Sequence, residues 1–148
     1  MKKLLMILCI LLPTVAHAQE EKNIEIIAMC GELNGETYTS QEHKWIEDGF
    51  AEGQVAVVFD RPNDRFDIAF YNKYRDGWVS VIADGGSVRI HRNTPDDLVV
   101  IVEYYHSIAV YTFYRKRNFY TYLESKNYIN TARTTRFQGT CEFIWGAG

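Results

Sequence analysis

The chain has 148 residues, 47% of them hydrophobic and 14% aromatic, and 16 basic against 19 acidic side chains leave a formal net charge of −3. That length suits one domain around one core. The acidic balance excludes the global positive field that holds nucleic acid or an anionic membrane, so neither is expected as a partner.

Residues 1–18 read as a signal peptide: Lys2 and Lys3 precede an apolar run from Leu4 to Val15, and Ala16-His17-Ala18 offers the small residues a signal peptidase accepts. The run falls short of the roughly 20 apolar residues that span a bilayer, so no membrane span is expected. Residues 19–148 then form a single β-rich domain. Cys9 lies within the signal, and Leu8 before it is not the Gly or Ala of a lipoprotein site. Cys30 and Cys141 remain, and an exported chain with an even cysteine count oxidises them to a disulfide. A Cys-x-x-Cys motif is absent and no histidine lies within four residues of either, which argues against a redox or metal pair. The short, lysine-started signal and the lack of Asn-x-Ser/Thr acceptors place the protein in a Gram-negative periplasm, or secreted.

Ile24 to Cys30 reads as the opening strand. Asn34-Gly35 predicts a tight turn, and Thr39 with Glu42 fits a capping box ahead of Trp45, Ile46 and Phe50, which predicts a short helix ending near Gly49. From Val55 onward the period is two. Val55, Val57 and Phe59, then Phe66, Ile68 and Phe70, flank a turn at Arg61-Pro62-Asn63-Asp64; Trp78 to Ala83 is the next strand, and Asp84-Gly85-Gly86 is a strong hairpin signal. Val88 and Ile90 face the core while Arg89 and His91 face water. Asn93 to Asp97 breaks the sheet around Pro95, and Leu98 to Tyr105, apolar on nearly every residue, reads as a strand covered on both faces. Ile108 to Tyr114, Phe119 to Leu123 and Tyr128 to Phe143 complete the series. The fold class is therefore all-β, an antiparallel meander of about eight or nine strands in a small barrel or sandwich with one short helix, its opening and closing strands joined by Cys30 and Cys141.

No catalytic signature emerges, and a non-enzymatic protein is expected. Of the four histidines, His17 leaves with the signal, and His43, His91 and His106 are too widely separated to supply the convergent ligands of a metal site. Ser107 beside His106 is not a dyad, because neighbours on a strand point to opposite faces. Asp60, Asp64, Asp67, Asp96 and Asp97 cluster at predicted turns, where aspartate caps its own backbone, and a D-x-[DN]-x-[DN]-G calcium spacing is missing. No metal or cofactor is implied.

The candidate binding residues are Tyr111, Tyr114, Arg115, Lys116, Arg117, Tyr120 and Tyr122, two aromatic strands joined by a basic tip. Tyrosine offers flat apolar area with a polar handle at low entropy cost, a composition favoured at interfaces. This predicts an exported binding protein that docks a protein partner in the cell envelope, as an inhibitor or accessory factor, and it requires a filled core. The alternative is a carrier of a small ligand, a lipid or glycan, and it requires a cavity.

Overall fold

Period-two patterning puts side chains alternately on two faces; the strands at 107–114 and 131–143 bury only alternate residues, whereas those at 55–60, 65–72 and 97–104 each bury three in a row. The computed structural model describes residues 24–31, 33–50, 54–128 and 131–144. The expected signal peptide lies outside them. The described residues form eleven strands: β1 (Ile24–Cys30), β2 (Leu33–Thr39), β3 (Lys44–Phe50), β4 (Val55–Asp60), β5 (Arg65–Asn72), β6 (Gly77–Ser80), β7 (Ser87–Asn93), β8 (Asp97–Tyr104), β9 (Ser107–Tyr114), β10 (Phe119–Tyr128) and β11 (Thr131–Phe143). They form one antiparallel sheet in the order β6-β5-β4-β1-β11-β10-β9-β8-β7, curled into a half-barrel, with β2 and β3 attached beside β11. The all-β expectation holds, with eleven strands in place of eight or nine.

β11 is the axis of the sheet. One of its edges pairs with β10 from Thr131 to Thr140. Its other edge is shared in succession, with β2 along Arg133 to Gln138 and with β1 along Cys141 to Phe143. Cys30 sits directly opposite Cys141 in that register, and the two form the expected disulfide across 111 positions of chain. The opening and closing strands are thus neighbours at mid-sheet, and the outer strands are β6 and β7 at the ends of the main order and β3 at the end of the β2 branch.

Three local expectations are overturned. The helix expected between Thr39 and Gly49 is the β2–β3 hairpin. The Glu42 amide does approach Thr39 Oγ1, at 3.4 Å, but the capping contact heads the turn at 40–43, where His43 adopts φ of 52°. The pairing of Tyr38 with Trp45 and Thr37 with Ile46 then wins over helical propensity, because β2 is already held to β11. Asn34-Gly35 is no turn but part of β2. A Cβ at Gly35 would lie 1.9 Å from the Arg136 carbonyl oxygen and 2.7 Å from the Phe137 ring, so the glycine is there to let β11 approach.

Asp84-Gly85-Gly86 does not make a hairpin either. It ends a turn at 81–85 that carries the chain from β6, one edge of the sheet, to β7, the other edge, and the two strands are not paired. The glycines supply the same conformational freedom whether the following strands pair or diverge; Gly85 uses a φ of 89°. What pins the corner is Asp67, buried in β5, whose carboxylate accepts from the Ile68 amide at 2.8 Å, the Ile82 amide at 3.4 Å and the Ser80 hydroxyl.

The concave face carries the core. Leu98, Val100 and Val102 of β8, Phe113 of β9, Tyr120 of β10, Phe137 of β11 and Val57 and Ile68 of β4 and β5 are all buried there. Consecutive burial of Ile27 and Ala28 marks a bulge in β1, where the register with β4 slips between Ile26 and Ala28.

Candidate functional site

The curl is plugged at one end and hollow at the other. Toward the β9–β10 tip, the fully buried Leu98, Phe113 and Tyr120 fill the interior, with the Phe113 and Tyr120 rings stacked 5.8 Å apart. Toward the other end the inward residues become small, among them Val55, Val81, Val102 and Ala109, and they leave a cavity of about 710 Å³. Ligand pockets typically enclose about 300 to 1,000 Å³. Phenol rings of Tyr104, Tyr111 and Tyr122 form its aromatic wall, and Asp84, Ser107, Glu124 and Lys126 bring polar atoms to it beside the Tyr105–His106 turn.

Glu124 and Lys126 follow Tyr120 and Tyr122 at the next inward positions of β10. Their charged groups are 3.0 Å apart, with side chains only 11% and 30% exposed. The Tyr122 hydroxyl is hydrogen-bonded to Glu124; burial first, and then the neighbouring Tyr111 and Glu124, hold that phenol far above its ordinary range despite the opposing charge of Arg133. Burial and Glu124 act likewise on Tyr111. Tyr104 is pushed up to about 12, by burial and then by Asp84, Asp67 and Glu124. All three are therefore neutral at physiological pH and able to donate as well as accept.

A second polar group continues along the same face. Arg133 lies opposite Lys126 and Thr135 opposite Glu124. The Arg133 guanidinium donates to Asp48 at 2.9 Å and to Thr37 at 3.2 Å, and the Thr37 hydroxyl donates to Asp48 at 2.8 Å. This arrangement fixes the β2–β3 hairpin against β11.

The residues singled out from the sequence are divided by the fold. Tyr111, Tyr120 and Tyr122 all point inward, because alternation puts them in step with Phe113 and Phe137. Tyr111 and Tyr122 wall the cavity, and Tyr120 belongs to the plug. Tyr114 lies on the convex side against Phe119, their rings 5.9 Å apart. Arg115 is built into the fold: its guanidinium donates to Asn93 Oδ1 at 2.6 Å and to the Thr94 carbonyl. Lys116 pairs with Asp96, and Arg117 is exposed. His43, His91 and His106 are exposed on separate elements, and among the described residues no three His, Cys, Asp or Glu side chains form a metal-holding group. Comparison with protein-family models, curated proteins and solved structures finds no match. The cavity's geometry therefore carries the functional argument by itself.

Glu124, Lys126 and Tyr104 were not among the sequence candidates. For Glu124 and Lys126 the signal is the period-two continuation of Tyr120 and Tyr122 into two charged residues; Tyr104, on β8, has no such mark.

Proposed function

We propose that the protein is an exported, non-enzymatic carrier of a small apolar or amphipathic molecule, working in the periplasm and using the hollow end of the half-barrel as its container. The observation that carries this reading is the cavity of about 710 Å³, walled by tyrosine rings and aliphatic side chains, with a few convergent polar atoms. That is the composition of a ligand pocket: apolar surface gives affinity and sparse polar groups give orientation. The disulfide fits an oxidising compartment, and it fastens β1 to β11 so that the container keeps its curvature without a continuous ring of hydrogen bonds.

Native mass spectrometry of the protein isolated from its own host is the test. A discrete added mass that organic solvent extracts is the expected result. A bare mass, together with no saturable uptake of the uncharged probe N-phenyl-1-naphthylamine, would overturn the reading.

A second reading, docking of an envelope protein, is favoured by the convex face of the β9–β10 hairpin, where Leu123 and Ile108 are 53% and 45% exposed and Val110 sits directly opposite Leu123. Substituting Leu123→Lys should then abolish capture of a stoichiometric partner from periplasmic extract while leaving probe uptake intact. Unchanged capture by that variant would remove this face from consideration.

A further inference from the structure

Resting on the carrier reading, we propose that the ligand is an uncharged amphiphile whose hydroxylated head is held between Glu124 and Lys126, with its apolar body lying along Tyr111 and Val102. Two carboxylates line the cavity, Glu124 and Asp84, and each is already matched by a cation: Lys126 at 3.0 Å from Glu124, and Arg75 at 3.5 Å from Asp84. A charged head brought into this wall finds no uncompensated counter-charge. It meets a like charge at close range and loses its own hydration, which disfavours it strongly in a partly buried site.

A hydroxyl meets the opposite situation. A carboxylate has about four acceptor positions and an ammonium three donors. Lys126 and the Tyr122 hydroxyl engage Glu124, and that same pairing occupies one donor of Lys126, so both partners keep capacity on the cavity side. One hydroxyl can donate to the carboxylate and accept from the ammonium at once, and two vicinal hydroxyls can do both without strain. Ser107, opposite Lys126 in the β9–β10 register, and the neutral phenol of Tyr111 add further neutral partners on the same wall. The head this wall fits is a glycerol-like or other polyhydroxylated group.

The probes are three amphiphiles with the same chain and different heads, used below their micellar concentrations at pH 7: monododecanoylglycerol, dodecanoate and dodecylammonium. Each is scored by displacement of N-phenyl-1-naphthylamine from the full protein. The uncharged glycerol ester should bind at least about tenfold more tightly than either charged analogue. Glu124→Gln leaves Lys126 without its counter-charge, and should shift the preference about tenfold toward dodecanoate. Lys126→Met should shift it similarly toward dodecylammonium. Either variant is sufficient if the other fails to fold, as judged by circular dichroism.

Equal or tighter binding of dodecanoate or dodecylammonium by the unmodified protein would overturn the head assignment and leave the carrier reading standing. Unchanged preferences in a folded variant would do the same. Failure of the naphthylamine probe and all three amphiphiles to bind would instead remove the carrier reading, and this inference with it.

Discussion

Replacing Cys30 and Cys141 together by alanine tests how much of the fold is held by one covalent bond. The disulfide spans 111 positions and joins residues directly opposite each other in the β1–β11 register. For a closed loop of that length, loop-closure entropy removed from the unfolded chain is about 5 kcal/mol, set against a total stability of about 5 to 15 kcal/mol for a domain. The double variant should therefore lose about 4 to 5 kcal/mol in urea unfolding, and its Tm should fall by about 15 °C at roughly 3 to 5 °C per kcal/mol. The slope of the unfolding free energy against urea distinguishes the cause. If the bond acts by restricting the unfolded chain, its removal lets that chain expand, so the slope should rise while the midpoint falls. A loss below about 1 kcal/mol would refute the reasoning. So would a full loss at unchanged slope, since that would locate the effect in the packing of two buried side chains.

Gly35→Ala should loosen the contact between β2 and β11 and cost more than about 2 kcal/mol in thermal denaturation, because its Cβ would meet the Arg136 carbonyl at 1.9 Å, where nothing flexible can yield. Asp67→Ala should cost about 2 to 4 kcal/mol by urea titration, as the Ile68 amide and Ser80 hydroxyl lose a buried charged acceptor. The Tyr104 phenol is held up to about 12, so the folded state keeps its proton more tightly than the unfolded chain, near 10. Its contribution to stability is thus complete below pH 10 and is lost as pH rises toward 12; ultraviolet difference titration of Tyr104→Phe against the parent should remove a step near 12, not near 10. Arg115→Ala should cost about 1 to 2 kcal/mol through its bonds to Asn93 and Thr94, whereas Lys116→Ala, at an exposed ion pair, should stay within about 0.5 kcal/mol in the same melts.

Strand positions were legible wherever alternation met a turn residue. Arg61-Pro62-Asn63-Asp64 and Arg115-Lys116-Arg117-Asn118 both turn as 3₁₀ segments closed by a left-handed Asp or Asn, at φ of 47° and 49°. The Cys30–Cys141 pairing was legible from cysteine count alone. What a local reading missed is non-local in origin. Gly35 carries no local mark that separates a turn glycine from one making room for β11, and Thr39-Glu42 is the same capping pattern whether a helix or a hairpin follows. Asp84-Gly85-Gly86 likewise states that the chain bends without stating where β7 goes. At the candidate site, tyrosine abundance marks β9 and β10, but a strand ending at Leu123 stops immediately before Glu124 and leaves the Glu124–Lys126 pair off the inward face, whereas β10 runs on to Tyr128.

The position of β11 carries a kinetic consequence. Every other described strand precedes it in the chain, yet β1 with its partners β4, β5 and β6 on one side, and β10 with β9, β8 and β7 on the other, are joined by strand pairing only through it. Until β11 is in place these two groups share no strand ladder, and the β2–β3 hairpin has none to join. Closure across such sequence distance is slow. Because Cys30 and Cys141 face each other in the β1–β11 register, their bond closes in its native setting only after β11 has docked, and it locks the assembled sheet.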